Sequence, residues 1–309
     1  MPSLYDAVLL IAFGGPISPE EIHPFLSRVL RGHPVPAQRI EEVVRHYMAV
    51  GGRSPLNEIT FRQASALETM LKQRGFLLPV YVGMRNSRPF LRETLDQMTA
   101  DGVRRALGLI LSSHQTEASW ERYQRDVSEA REELGGATPT IDFSPGWHAH
   151  PLFIQALAEQ IRPALERVAA QKRPTTPLIL TAHSVPTAMA AKSPYVEQIR
   201  DTARLIGEHL GHRRCLVAYQ SRSGQPSEPW LEPDISDVLR SLSTEGATDV
   251  VVAPIGFVCD HVEVLYDLDI EAKRIAQGLG TNFLRANCVN DHPTFIRMMA
   301  EVIETSAKG

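Results

Sequence analysis

Residues Asp249–Phe257 have the sequence DVVVAPIGF, an almost unbroken apolar run of the length of one strand. Runs of this kind are typical of strands that are buried on both faces of a parallel sheet. Further runs of the same character are spread along the chain, and helical patterns separate most of them, which predicts βα units and an α/β fold. The eight predicted strands are Ala7–Phe13, Pro79–Gly83, Ala106–Ser112, Thr138–Phe143, Pro177–Ala182, Arg214–Tyr219, Asp249–Phe257 and Thr281–Ala286.

The helices are predicted from apolar stripes at helical spacing. The first is predicted to start at Ser18, where Ser18-Pro19-Glu20-Glu21 has the pattern of a capping box, and to end at Gly32, with a kink at Pro24. The other stripes cover about residues 57–74, 89–101, 117–134, 150–171, 194–210, 232–245, 261–278 and 291–306.

The two halves of the chain look alike, because each has four predicted strands and opens with a strand followed by a sharp loop. A chain of 309 residues is also long enough for two domains that each bury a core. We therefore predict two similar doubly wound parallel-sheet domains that face a central cleft. The predicted domains are residues 1–145 and 146–309, although a connection at 170–177 is a second candidate boundary.

The composition excludes several classes of protein. With 43% hydrophobic and 22% charged residues, the chain has the composition of a globular protein, and its net charge of -4 offers no basic field for nucleic acid. Cys215, Cys259 and Cys288 lie far apart, which indicates neither a zinc knuckle nor a disulfide framework. We find no export signal and no apolar run long enough to span a bilayer, so we expect a cytoplasmic protein without a transmembrane segment.

Two histidines follow predicted strands, where ligands bind in open α/β sheets. His183 comes directly after Leu178-Ile179-Leu180, and His114 follows the third predicted strand. Partial burial at such a position can shift the pKa of an imidazole into the range of a general base. The imidazole could instead serve as a metal ligand. The alternative is a histidine that only bonds a loop carbonyl. The residues alone leave both interpretations open.

Three acidic residues, Glu263, Asp267 and Glu271, are spaced four apart, which on a helix places them in one column. Like charges at this spacing repel each other, so the column needs a cation, shared protons or solvation. A hydrated metal ion would suit it, and an ordinary acidic surface is the alternative. Because Glu263 lies just past a buried strand, simple exposure is less expected for that residue.

A loop from Tyr219 to Pro233 carries residues that often line flat ligands. Trp230 could pack on a ring system, and Arg222 could pair with a carboxylate or brace the loop. The alternative is that Trp230 is a core residue and Arg222 has a structural role. Gly14-Gly15-Pro16 has too few glycines for a dinucleotide-binding fingerprint.

Several segments in this order resemble the ferrochelatase family over nearly the whole chain. The matching motifs are Leu9–Pro16, Gly51–Asn57, Ala182–Pro186, Tyr219–Gly224 and Pro254–Glu263. The resemblance implies two doubly wound α/β domains and a lyase that inserts Fe²⁺ into a porphyrin in haem biosynthesis, without a resident cofactor. The porphyrin and ferrous iron are the implied partners, with a monomeric enzyme that makes at most transient contact with adjacent haem-pathway enzymes.

The resemblance also implies roles for particular residues. His183 would abstract pyrrole protons or ligate iron, with Glu263 as its carboxylate partner, and Asp267 and Glu271 would guide metal or protons. These four residues are the expected metal ligands. The expected porphyrin contacts are Phe13, His46, Tyr47, Arg53, Ser54, His114, Thr116 and Trp230.

Two finer expectations follow from the resemblance. Phe13–Ile17 and Trp230–Asp234 are most similar to the bacterial branch that acts on coproporphyrin III, with protoporphyrin IX as the second candidate. Some members of that branch carry a [2Fe–2S] cluster, but Trp120 stands in the region of one of its cysteines, so we expect no cluster. The alternatives are a cobalt or nickel chelatase for another tetrapyrrole and a porphyrin-binding or haem-binding protein without turnover.

Overall fold

The computed structural model describes residues 3–31, 35–136, 138–223 and 227–308. All eight predicted strands are present, with ends that differ from the predicted ones by at most three residues. The strands are β1 (Ala7–Ala12), β2 (Val80–Met84), β3 (Arg105–Ile110), β4 (Thr140–Phe143), β5 (Leu178–His183), β6 (Cys215–Gln220), β7 (Asp249–Pro254) and β8 (Asn282–Arg285).

The strands form two four-stranded parallel sheets with the same topology. The first has the order β2-β1-β3-β4 and the second the order β6-β5-β7-β8. The predicted α/β class with two similar parallel sheets is therefore confirmed. In each sheet the strand order reverses beside the first strand, and in such folds ligands bind beyond the carboxyl ends of the strands at that point. In the second sheet this point lies between β5 and β7.

Twelve α-helices connect the strands over the described residues. They are α1 (Ile22–Leu30), α2 (Ala37–Ala49), α3 (Leu56–Gln73), α4 (Leu91–Ala100), α5 (Arg122–Leu134), α6 (Pro151–Glu166), α7 (Thr187–Ala190), α8 (Tyr195–Leu210), α9 (Ile235–Thr244), α10 (Val262–Leu265), α11 (Lys273–Gly278) and α12 (Pro293–Lys308). Two π-helical segments, Glu117–Glu121 and Asp267–Ala272, precede α5 and α11. Among the described helices, none has both the length and the apolar character that crossing a membrane requires.

The first predicted helix begins at the expected place but not with the expected cap. A 3₁₀ turn at Pro19–Glu21 follows Ser18, whose side chain makes no capping bond, and α1 starts at Ile22. The carboxylate of Glu21 instead accepts a hydrogen bond from the Ile17 N–H at 3.1 Å. Pro24 falls in the first turn of α1, where the missing N–H removes no helical hydrogen bond. The predicted end at Gly32 lies outside the described residues.

Helix α2 was missed in the sequence, although Ile40, Val43, Val44 and Tyr47 have helical spacing. Tyr47 alone among its residues is buried, so the apolar stripe is weaker than in the other helices of more than six residues whose buried residues are known, each of which has at least three.

The chain divides into two compact units that differ from the expected domains in two segments. Unit 1 contains residues 1–112, 118–145 and 295–309, and unit 2 contains residues 113–117 and 146–294. The last helix thus belongs with the first sheet, because the Leu4 N–H donates to the Ala307 carbonyl and Arg74 pairs with Glu304 at 2.8 Å. Contacts between residues so distant in sequence leave no local pattern that could have predicted this.

The second sheet packs tightly where β5 meets the segment after β7. A side chain at Gly256 would lie 2.7 Å from both Cα and Cβ of Ala182, so only glycine fits there. The buried residues of this core include Ile179, Val250 and Val252. Close packing therefore fixes the end of β5, where the first functional candidate lies.

Candidate active site

His183 is the last residue of β5 in unit 2, and its backbone and ring are both held. The Tyr195 hydroxyl donates to the His183 carbonyl at 2.9 Å, and the His183 Nδ1 is hydrogen-bonded to the Ser184 carbonyl. A carbonyl can only accept, so Nδ1 carries the hydrogen. In the neutral ring, Nε2 therefore has a free lone pair for a proton or a metal.

Glu263 lies next to that nitrogen. Its Oε1 is 3.7 Å from the Nε2 of His183, and both side chains are partly exposed, Glu263 by 41% and His183 by 29%. Glu263 is the second residue of the short helix α10, whose start is capped by His261: the Glu263 N–H donates to the His261 Nδ1 at 3.1 Å. The structure thus brings the predicted imidazole and carboxylate together at the switch point of the second sheet.

The two groups shift each other's pKa in opposite directions. Burial alone would lower the pKa of His183, but the nearby charge of Glu263 and the bond to the Ser184 carbonyl raise it above the usual value. Burial would raise the pKa of Glu263, but the neighbouring His183 outweighs this effect and holds the pKa of the carboxyl well below its usual range. The pair therefore favours a carboxylate beside an imidazole that readily takes a proton.

Asp267 and Glu271 continue from Glu263 as predicted, but not on one regular helix. Asp267 begins a π-helical segment, in which the Glu271 N–H donates to the Tyr266 carbonyl at 3.0 Å. The Ser221 hydroxyl donates to Oδ2 of Asp267. Burial and the charges of Glu263 and Glu271 raise the pKa of Asp267 to about 7. The predicted helix over 261–278 is present, but its middle is π-helical, and Asp267 lies within electrostatic reach of both other acids.

We call Glu263, Asp267 and Glu271 the acidic column. Over the described part of the chain, no three or more histidine, cysteine, aspartate or glutamate side chains are grouped so as to hold one metal ion. Among the described residues, the column and His183 therefore do not form a closed coordination shell around one ion.

The end of β6 holds the acid-bearing segment against β5. Gln220 pairs in register with His183, and its Nε2 donates to the Glu263 carbonyl at 2.8 Å. The next residue, Ser221, has a φ of 63°, which is rare for a residue with a side chain and is often found at functional sites. Gln220 and Ser221 lay within a motif noted in the sequence, but no pattern indicated which groups they bind.

Trp230 lies on a segment that runs beside the chain after His183. Pro186 and Trp230 form an isolated antiparallel bridge, and the Ser184 hydroxyl donates to the Leu231 carbonyl at 2.9 Å. The indole N–H of Trp230 donates to the Glu228 carboxylate at 3.1 Å, and the residue is only partly buried. Trp230 is therefore not a core residue, and it pairs with Pro186, three residues after His183. Gly224, at the end of its motif, lies outside the described residues.

His114 and Thr116, two of the expected porphyrin contacts, are buried within the protein. Both are 2% exposed. The ring nitrogens of His114 lie 2.8 Å from the Ser113 hydroxyl and 3.0 Å from the Thr202 hydroxyl. Burial lowers the pKa of His114 to about 3, so the ring is neutral near pH 7. Within unit 2, the His114 ring is thus held by two hydroxyl groups, and its contact with the porphyrin stays a prediction.

Unit 1 contains the other expected porphyrin contacts. Phe13, just after β1, packs edge to face on Phe25 at 6.1 Å, and Phe25 packs on Tyr47 at 6.0 Å. His46 is partly exposed on the same helix as Tyr47, and burial lowers its pKa. Arg53 is exposed.

Ser54 belongs to a turn that holds the loop after β1. The Ser54 N–H donates to the Pro16 carbonyl at 2.8 Å, and Ser54 itself is buried. The Asn57 side chain accepts from the Gly15 N–H at 2.8 Å and donates to its carbonyl at 3.0 Å. Gly14 has a φ of 82°, and a side chain there would collide with Ser87. The glycines of this motif therefore allow a close backbone turn.

Comparison with known proteins identifies the family. A sequence model of the family described as Ferrochelatase matches residues 5–307. The chain belongs to the ferrochelatase family. Among curated ferrochelatases, the coproporphyrin III ferrochelatase of Nocardia farcinica is 42% identical, with 98% of this chain and 89% of the relative covered. The ferrochelatase of Rhodopirellula baltica is 38% identical, with 97% of this chain and 86% of the relative covered.

A solved structure agrees with the ferrochelatase fold at much lower sequence identity. SirB from Bacillus subtilis with Fe³⁺ superposes with a TM-score of 0.62 at 11% identity, covering 97% of this chain and 95% of that protein. At this identity the likeness concerns the fold alone. It supports the two parallel sheets that the sequence of this chain predicts.

Proposed function

We propose that this ferrochelatase inserts Fe²⁺ into coproporphyrin III, with His183 and Glu263 as its catalytic pair. Family membership supports the reaction, and the name of the Nocardia relative supports the porphyrin. The observation that carries the residue assignment is the 3.7 Å approach of Glu263 Oε1 to His183 Nε2, at the switch point of the second sheet.

The reaction needs a group that takes protons from the ring. Metal insertion replaces two pyrrole N–H protons by one Fe²⁺ ion, which must also lose its water ligands. The His183 Nε2 lone pair can accept a pyrrole proton, because Nδ1 keeps its hydrogen through the bond to Ser184. Glu263 then stabilises the imidazolium that forms.

The same pair suits the ferrous substrate. Imidazole and carboxylate both bind first-row divalent metals, and two ligands hold such an ion less tightly than a complete shell does. The acidic column extends from this pair, and the pKa of Asp267 at about 7 allows it to take up and release a proton near neutral pH. We assign Asp267 and Glu271 to the passage of metal toward His183 and of protons away from it, so that His183 can accept the two pyrrole protons in succession.

The remaining assignments stay predictions. They include contact of Phe13, His46, Tyr47, Arg53, Ser54, His114, Thr116 and Trp230 with the porphyrin. Four further expectations also stay predictions: the absence of a [2Fe–2S] cluster, the cytoplasmic location, the monomeric state and the contact with haem-pathway enzymes.

The test is an anaerobic assay that follows the Soret band as Fe²⁺ is added to coproporphyrin III or protoporphyrin IX. We expect turnover, with a higher kcat/KM for coproporphyrin III. His183→Ala should lower kcat by roughly 10²–10⁴-fold, the contribution of a positioned acid–base group. His209→Ala, which removes an exposed histidine from α8, is the matched control and should keep full activity.

Three outcomes would contradict the proposal. Unchanged turnover in His183→Ala would remove that residue from the mechanism. Insertion of Co²⁺ or Ni²⁺ but not Fe²⁺ would favour a different chelatase. Tight porphyrin binding without turnover by the parent protein would favour a carrier.

A further inference from the structure

Arg285, the last residue of β8, makes two ion pairs to the segment that carries the acidic column. Its Nε donates to Oδ1 of Asp269 at 2.5 Å, and its Nη1 donates to Oδ1 of Asp260 at 2.7 Å. The side chains of Arg285 and Asp260 are each 14% exposed, and that of Asp269 is 34% exposed. These pairs are therefore better shielded from solvent than ordinary surface pairs, which contribute little.

Arg285 divides the acids of this segment into two groups. Residues 260–271 contain five acids, Asp260, Glu263, Asp267, Asp269 and Glu271. Arg285 bonds Asp260 and Asp269, and the other three form the acidic column. One guanidinium thus binds the acids that lie outside the column.

Asp267 and Asp269 are bonded at opposite edges of the sheet. Asp267 is bonded to Ser221, which follows β6, and Asp269 is bonded to Arg285 on β8. Strands β6 and β8 are the two edge strands of the second sheet. The segment is therefore held from both sides, and its rotation about its own axis is fixed. This rotation determines where Asp267 points.

Asp260 fixes the other end of the segment. Besides its bond to Arg285, its Oδ2 accepts from the Asn290 amide at 2.7 Å, and its N–H donates to Oδ1 of Asn290 at 2.9 Å. Asp260 lies three residues before Glu263. A displacement of Asp260 would therefore be transmitted directly to the carboxylate that faces His183.

We propose that Arg285 is a positioning residue for metal insertion: by bonding Asp260 and Asp269 it holds the intervening segment so that Glu263 faces His183 and Asp267 faces Ser221. Arg285 touches neither substrate in this assignment and acts only through the acids that it orients. This inference rests on the proposed function of His183 and the acidic column. It predicts a defect in the handling of iron and not in the binding of the porphyrin.

The experiment compares the full-length parent with Arg285→Met and with Asp269→Ala, which breaks one pair and leaves the Arg285–Asp260 pair intact. The KM for Fe²⁺ and kcat are measured by anaerobic Soret assay, and the Kd for coproporphyrin III by quenching of its fluorescence. The matched control is Arg74→Met, which breaks the partly buried pair with Glu304 in unit 1.

In Arg285→Met we expect kcat divided by the KM for Fe²⁺ to fall by roughly 10–100-fold, as for partners that orient metal ligands. The Kd for coproporphyrin III should stay at the parent value. Asp269→Ala should show a smaller loss of the same kind, and Arg74→Met should show none. If Arg285→Met does not fold, Asp269→Ala decides the test alone.

An unchanged KM for Fe²⁺ and unchanged kcat in a folded variant would overturn the inference. An equal loss of porphyrin affinity would overturn it as well, because it would show a general structural role. Absence of turnover in the parent is a different result, since it would refute the proposed function on which the inference rests.

Discussion

Replacement of Asp267 by asparagine should stabilise the protein while it lowers activity. Asp267 is partly buried beside Glu263 and Glu271, which together with burial raise its pKa from 3.8 to about 7. Ionising this carboxyl in the folded state therefore costs free energy that the unfolded chain does not bear. Asparagine has nearly the same shape, can still accept the hydrogen bond from Ser221, and never ionises.

The sign and size of the effect follow from the two pKa values. Between pH 3.8 and about 7 the folded parent binds more protons than the unfolded chain, so its stability falls as the pH rises and levels off above about 7. The full difference corresponds to roughly 4 kcal/mol, at 1.36 kcal/mol per pH unit. Because solvent screens part of this cost at a partly exposed group, we expect Asp267→Asn to gain about 1–3 kcal/mol over the parent by pH 8.

Thermal unfolding of both proteins at pH 5, 6, 7 and 8 measures the effect. Each kcal/mol of added stability should raise Tm by about 2–4 °C. The Tm advantage of Asp267→Asn should grow from pH 5 to pH 7 and then stay constant. Asp96→Asn, the same change at an exposed position on α4, is the control and should show no pH-dependent advantage. An advantage that does not change with pH, or a destabilised Asp267→Asn protein, would refute the electrostatic reasoning.

Two further predictions concern the pair of His183 and Glu263 and its support. In Glu263→Gln, the effect of burial on His183 is no longer outweighed by the carboxylate, so the pKa of His183 should fall. NMR titration of the imidazole measures this pKa. An unchanged or higher value would contradict the assignment. In Gly256→Ala, the new methyl group would meet Ala182 at 2.7 Å and displace the end of β5, so we expect a loss of about 1–3 kcal/mol in stability together with reduced turnover. Unchanged Tm and kcat in Gly256→Ala would show that the backbone there adjusts without cost.

The sequence alone predicted the strands and the position of the catalytic candidates. A strand buried in a parallel sheet must be apolar along its whole length, so each strand leaves a local signal, and DVVVAPIGF is one of the clearest. The carboxyl end of a strand is equally local, which is why His183 was found from the run before it. The spacing of Glu263, Asp267 and Glu271 likewise needed no tertiary information.

The tertiary structure decided which of these side chains meet and how they are held. His114 and His183 follow strands in the same way, yet His114 is buried with its ring bonded to Ser113 and Thr202, whereas His183 keeps Nε2 beside Glu263. No local pattern separates the two, because the partners that distinguish them, Thr202 for His114 and Glu263 for His183, are distant in the sequence.

The π-helical segment and the place of the last helix were decided in the same way. The backbone at Asp267–Ala272 departs from the α-helix that its apolar spacing predicts, and Ser221 and Arg285 hold it from opposite edges of the sheet. Helix α12 belongs with the first sheet through contacts that join the two ends of the chain. Apolar spacing reports only which side of an element is buried, whereas these features depend on which distant residues the fold brings against it.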